Sequence, residues 1–357
     1  RIIEQRIDLE GGEIALELER ADHRTWEFQA QVASLNLQLS RNAFAVVGSE
    51  TFLAIAATSN RDQVCRTDAA GVFQPLALYA TSVLRSAGGA VLFGGPPSSG
   101  AVHIAFQRST DGGSSAVVVT SVGAGVGTVY DLFEVRSGTY LASCHSGAIY
   151  RSTDGGASWA LTQTVSPGYV IHRFHAPSAG TLWGATGFSD PALASGVFLY
   201  ESTDEGATWS QKHTVVASDG VAYHTALLHS LSGSEFLLAH YGVGGLFTSR
   251  GVRRGVQSSP SSVAWSLVAS LTSFYNVLQA SSGDLLAGFG ELTTLTGGTV
   301  HRSTDQGASW VDESAISKRG NVFLLPRGDG GMDAFVARTS AGIRSYRYRN
   351  FEPNERA

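Results

Sequence analysis

Arg151-Ser152-Thr153-Asp154-Gly155-Gly156-Ala157-Ser158-Trp159 recurs with small changes as Glu201-Ser202-Thr203-Asp204-Glu205-Gly206-Ala207-Thr208-Trp209 and as Arg302-Ser303-Thr304-Asp305-Gln306-Gly307-Ala308-Ser309-Trp310. A fourth copy, Arg108-Ser109-Thr110-Asp111-Gly112-Gly113-Ser114-Ser115, starts the same way and carries Ala116 in the tryptophan place. The aspartates stand at 111, 154, 204 and 305, so the intervals are 43, 50 and 101 residues, the last being two units. Units of about 40 to 50 residues with several short strands in each belong to propellers and solenoids.

The strand pattern inside a unit decides between them. An aromatic or aliphatic run precedes each box, as in Ala148-Ile149-Tyr150 and Val197-Phe198-Leu199-Tyr200, and another follows it, as in Trp159-Ala160-Leu161. Two more runs lie upstream, Tyr130 to Val135 and Thr139 to Ser143, separated by a glycine turn. Four short strands per unit is the content of a propeller blade, and no long helical periodicity competes with it.

Register supplies the missing units. Val64-Cys65-Arg66-Thr67-Asp68 is a shortened box 43 residues before Asp111. Gly245 to Gly251 aligns with Ala148 to Ser152, so Gly251 takes the aspartate place, Val252 to Val263 reads as an exposed Arg/Ser-rich loop, and Trp265 resumes the pattern. Near the end, Asn321 to Leu325, Asp333 to Arg338 and Ile343 to Tyr348 supply three strands. A ring with an open edge invites aggregation, and Arg24 to Val32, with Trp26 in the tryptophan place, reads as the missing fourth strand. The expected fold is all-β, a seven-bladed β-propeller closed by an N-terminal strand, with six blades as the alternative count. It spans residues 23–357. Residues 1–22 are expected to form an acidic connecting hairpin, Ile2 to Leu9 and Glu13 to Glu19 around Glu10-Gly11-Gly12, leading to an upstream domain or a partner subunit, or folded on the propeller's side.

Box chemistry points to a fastener. Glycine permits the positive φ of a tight turn, an aspartate carboxylate accepts from nearby backbone amides, and a tryptophan covers the turn with a large apolar area. Asp111, Asp154, Asp204 and Asp305 are therefore structural aspartates, with Trp159, Trp209 and Trp310 as packing residues. A catalytic or metal role would need them gathered, whereas one per blade places them around the rim.

The pattern Ser-x-Asp-x-Gly-x-x-Trp resembles the Asp-box, or BNR repeat, of sialidases, xyloglucan hydrolases, sortilin-type receptors, photosystem-assembly factors and phage tail proteins. The resemblance covers roughly residues 33–350 and implies a propeller with its boxes at the periphery. It does not imply one function, because enzymes and pure binders share it. Sialidases of this kind carry an Arg-Ile-Pro motif, an arginine triad and a Tyr/Glu pair. Here the nearest string is Arg1-Ile2-Ile3, and Arg108, Arg151 and Arg302 belong to the repeat register. A glycosidase needs two carboxylates about 5 to 10 Å apart, and Asp131, Asp219 and Asp329 are the residues expected to face a central channel.

Six of the ten histidines lie between 172 and 240: His172, His175, His213, His224, His229 and His240. Their strand parity sends neighbours to opposite faces, which argues against a metal site. With Trp183, Phe188, Tyr223 and Tyr241 they form a candidate binding face at loop tips, joined by Arg250, Arg253 and Arg254 of the loop that ends at Pro260. No Walker loop or Gly-x-Ser-x-Gly elbow occurs, and Gly123 to Gly127 reads as an interblade turn, so no cofactor is expected. Net charge is −5, which gives no support to a nucleic-acid partner. Two of the 25 basic residues, Lys212 and Lys318, are lysines and the rest are arginines. Cys65 and Cys144 suggest neither a disulfide framework nor zinc, and no apolar run reaches the length of a membrane span.

These features fit a non-catalytic structural or binding propeller. By analogy the setting is a phage tail or other extracellular surface, with a host glycan or envelope protein as ligand. The alternatives are a sialidase-like glycoside hydrolase and a photosystem-assembly-type protein-binding propeller.

Overall fold

A computed structural model describes residues 2–4, 44–46 and, with breaks, 52–348. The described residues are almost entirely strand, and their strands fall into seven four-stranded antiparallel sheets. Six are contiguous in sequence, over residues 44–79, 82–124, 129–164, 169–216, 222–269 and 274–312, and are called here the first to sixth sheets. In each the strands lie side by side in chain order, so every connection is a hairpin. The third sheet shows the plan: Val129–Arg136, Thr139–Cys144, Ala148–Ser152 and Ala160–Thr164. The second strands of the second and third sheets, Val91–Gly95 and Thr139–Cys144, are buried at every residue. The first strand of each sheet lies against the first strand of the next, from the first sheet round to the strand Asn321–Pro326.

The seventh sheet is composite. Asn321–Pro326, Met332–Ala337 and Arg344–Tyr348 pair in order, and Ile2–Glu4 adds to the edge of the last, with Ile2 opposite Tyr348 and Glu4 opposite Tyr346. An N-terminal strand does complete the C-terminal sheet, but it is Ile2–Glu4, which the sequence reading placed in the connecting hairpin. Residues 5–43, including the expected strand at Trp26 to Val32, lie outside the described residues.

A second difference concerns the fifth sheet. Arg250–Ser259 is a ten-residue strand, paired on one side with Glu235–Val243 and on the other with Ser262–Ala269. The exposed loop expected from Val252 onward is a long hairpin. Register explains the misreading. The residue ahead of the box serine faces a leucine in three of the sheets: Arg108 opposite Leu92, Arg151 opposite Leu141, Arg302 opposite Leu286. Arg66 faces Leu53 in the same way in the first sheet. In the fifth sheet Leu237 faces Arg254, so Gly255 takes the box-serine place and Gln257 the aspartate place, six residues beyond the Gly251 expected from sequence. The segment 244–249 lies outside the described residues.

Candidate functional site

Each box is a closed hydrogen-bond circuit. In the fourth sheet Ser202 Oγ donates to Asp204 Oδ1 at 2.8 Å and accepts from the Gly206 N–H at 2.8 Å. The Thr208 N–H donates to the same aspartate oxygen at 2.8 Å, and its hydroxyl donates to Oδ2 at 2.6 Å. Asp111, Asp154 and Asp305 repeat this with Ser115, Ser158 and Ser309. Partial burial of the Asp204 carboxylate pushes its pKa up, but the donors from Thr208 and Ser202 outweigh that and bring it down to about 2. Asp154 and Asp305 are lowered by the same balance, and Asp111 is lowered chiefly by the Ser109 hydroxyl. With both oxygens occupied, these carboxylates are turn staples, one per sheet.

The boxes also join sheets. Arg108 Nε donates to the Gly155 carbonyl of the next sheet at 2.9 Å, and Arg151 Nε to the Glu205 carbonyl of the next at 2.9 Å. The Glu205 carboxylate takes Arg136 Nε at 2.7 Å and Arg151 at 3.2 Å. Arg302 instead pairs with Asp284 of its own sheet. Three arginines committed to three different sheets do not form a carboxylate-binding triad. Trp159 stacks on Phe106 of the preceding sheet, with ring centroids 4.4 Å apart. The Gln163 side-chain amide donates to the Trp209 carbonyl and accepts from its N–H, both at 2.9 Å. Sequence reasoning passed over Gln163 and Glu205. Glu205 carries a signal, since a non-glycine there holds a positive φ of 56°.

Toward the inner strands a second set of polar groups bridges neighbours. The Val129 N–H donates to Thr81 Oγ1 at 2.8 Å, the Phe174 N–H to Asp131 Oδ2 at 2.6 Å, and the Thr225 N–H to His172 Nδ1 at 3.2 Å. Each bond crosses from one sheet to the next. Asp131, expected to face a channel, is only 5% exposed and is held by the neighbouring backbone. Asp219 and Asp329 lie outside the described residues.

The candidate binding residues of the fourth and fifth sheets are not at loop tips. His172 and Trp183 are 0% exposed and Tyr223 is 1% exposed, all within strands. Apolar packing claims them: Trp183 meets Phe236 of the fifth sheet at 4.4 Å between centroids, and Tyr130 stacks on His172 at 4.9 Å. His175 is half-buried, its Nε2 2.5 Å from Ser230 Oγ. Arg253 Nε donates to His240 Nε2 at 3.1 Å, and Arg254 pairs with Glu235 at 2.5 Å. His224 and Tyr241 stand opposite each other in register, and Tyr241 also faces Arg250; their side chains lie outside what the structure describes. The structure thus buries His172, His240, Trp183 and Tyr223 among the strands of the two sheets. Among the described residues no cluster of His, Cys, Asp or Glu could hold a metal ion, and no helix is long and apolar enough to cross a membrane.

No family model and no curated protein matches the chain. Solved structures do. The chain is similar to YCF48 from Cyanidioschyzon merolae at 16% identity with a TM-score of 0.56, over 87% of this chain and 94% of that one. YCF48 bound to D1 peptide matches at 15% identity with a TM-score of 0.57, over 86% and 91%. The WD40 β-propeller domain of Doa1 matches at 10% identity with a TM-score of 0.51, over 87% and 93%. Identities this low speak for the fold alone, and the fold they share with this chain is the β-propeller.

Proposed function

We propose that the seven sheets are the blades of one seven-bladed Asp-box propeller, and that the protein is a non-catalytic binding module holding a macromolecular ligand on a rigid scaffold. One observation carries this. Every carboxylate whose side chain the structure describes is engaged in holding turns or joining strands and sheets: the four box aspartates, Asp131, Glu134, Glu201, Glu205, Glu235 and Asp284. A glycosidase keeps two such groups facing its substrate. The ligand proposed is a host glycan or envelope protein in a virion-tail or other extracellular setting, the reading that the Asp-box resemblance suggests.

A second reading has its own support. A propeller solved with a peptide bound, YCF48 with D1 peptide, is similar over most of this chain, so an extended protein segment is an alternative ligand. A glycan array and a peptide array probed with the purified protein, beside a fluorogenic sialoside assay, separate these possibilities. Saturable binding to either array without sialoside turnover supports a binding module, and the array that responds names the ligand class. Turnover that disappears on substitution of an inner-strand carboxylate such as Asp131→Asn refutes it.

A further inference from the structure

Three of the six clustered histidines are buried on the fourth sheet (169–216) and the fifth (222–269), beside residues of the joint between them. A backbone N–H and an arginine Nε–H can only donate, so the ring nitrogen each one meets must carry a lone pair. The Thr225 N–H therefore fixes His172 Nδ1 as unprotonated, and Arg253 Nε does the same to His240 Nε2. His172 is 0% exposed and His240 4%. The third, His213, is 7% exposed with its ring edge-on to Trp183, and its Nε2 has no hydrogen-bond partner among the described residues.

These rings sit where the two sheets grip. Trp183, Val197 and Leu199 of the fourth pack with Tyr223, Phe236 and Leu238 of the fifth in one apolar cluster. Thr225 Oγ1 donates to the Thr186 carbonyl at 2.6 Å, beside the His172 contact. The fit around His172 is tight: a Cβ on Gly187 would lie 2.3 Å from the imidazole and 2.9 Å from the Tyr223 carbonyl.

We propose that this joint is an acid-sensitive hinge, in which His172, His213 and His240 serve as neutral imidazoles whose protonation uncouples the fourth and fifth sheets. A proton on His172 Nδ1 or His240 Nε2 turns an acceptor into a donor that faces another donor. A proton on His213 puts a charge into an apolar cluster. Charged and titratable groups face these rings from several strands. Tyr130 stacks on His172 from the third sheet, Asp131 on the same strand holds the Phe174 N–H, and Arg173 follows on the histidine's own strand. His240 faces the Arg253 cation and Tyr223. His213 is held below the ordinary histidine value by burial first, with Lys212 adding and Glu201 opposing. For a group so lowered, the closed joint is fully stable above the free histidine pKa of about 6.5 and loses stability as pH falls below it. The box aspartates titrate in a separate window, below about pH 4.

Hydrogen–deuterium exchange on the full chain between pH 7.5 and 5.0, corrected for intrinsic rates, tests this. Peptides covering 169–188 and 222–230 are expected to lose protection by up to about tenfold per pH unit per histidine below about pH 6.5, while peptides covering 139–152 hold theirs. His172→Asn, whose side-chain oxygen accepts the Thr225 N–H without titrating, and His240→Gln are expected to reduce that loss. Uniform loss across all sheets, no loss at the joint, or an unchanged loss in the double variant each overturns the proposal. If the variants fail to fold, the contrast between joint and third-sheet peptides in the unmodified protein decides.

Discussion

Gly155 and Gly156 are adjacent, both hold positive φ (75° and 82°), and replacing each by alanine should give different results. At Gly155 a Cβ meets nothing within 4 Å, so Gly155→Ala carries only the left-handed penalty, about 1 to 2 kcal/mol. At Gly156 the Cβ would sit 2.5 Å from Leu92 Cδ2 of the preceding sheet, adding an overpacking term of about 1 to 3 kcal/mol. Gly156→Ala should then cost about 2 to 5 kcal/mol, a large part of a stability of about 5 to 15 kcal/mol. Sister boxes make the same distinction. The Gly155 place is held by Glu205 and Gln306, each at φ 56°, whereas the Gly156 place is Gly206 or Gly307, with Leu141 or Leu237 pressed against it. Equilibrium urea unfolding followed by far-ultraviolet circular dichroism measures both variants. A Gly156→Ala midpoint no lower than that of Gly155→Ala would show that the box does not dock on its neighbour, and the account of how adjacent sheets are held would fail.

Acid should weaken the boxes in a defined window. Asp204 has its pKa lowered to about 2 from the ordinary aspartate value of about 3.9, so its stabilisation is whole above about pH 4 and is lost as pH falls toward 2. The carboxylate is mostly in solvent, which trims its contribution to about 1 kcal/mol, and Asp204→Asn should remove that share of the acid dependence in thermal melts. Trp159→Ala, which empties the stack on Phe106, should cost about 3 to 5 kcal/mol in the same urea assay; a loss under 1 kcal/mol would deny the tryptophan its packing role. Burial pushes the Cys144 thiol well above the ordinary range, so it should react with a thiol-specific chromogenic disulfide only when the chain is unfolded.

The fold was legible because its information is local and repeated. A serine, an aspartate and a glycine at fixed spacing describe one turn completely, and the structure shows that circuit in each of the four boxes. The strand edges around them followed from the same register. What local reading missed has a common cause. Arg250–Ser259 reads as a loop because its glycines and serines are turn residues. Its long antiparallel pairing on both sides outweighs that preference. His172, Trp183 and Tyr223 read as surface residues because histidine and aromatics suit ligands. Parity could say that their side chains alternate, but not that a neighbouring blade covers both faces of the strand. The links between sheets, such as Gln163 to Trp209 and Asp131 to Phe174, join residues more than forty positions apart and have no signature within a single repeat.

Ile2–Glu4 pairs with Arg344–Tyr348, joining positions near opposite extremes of the sequence. Few contacts in a polypeptide can have a higher contact order, and the entropy of closing so long a loop must be met before any ladder bond repays it. During synthesis this strand waits with its partner still unmade while six hairpin-built sheets can form behind it. Its docking is then a late kinetic event, and the slowest refolding phase should respond to substitutions at Ile3 or Tyr346 while faster phases do not.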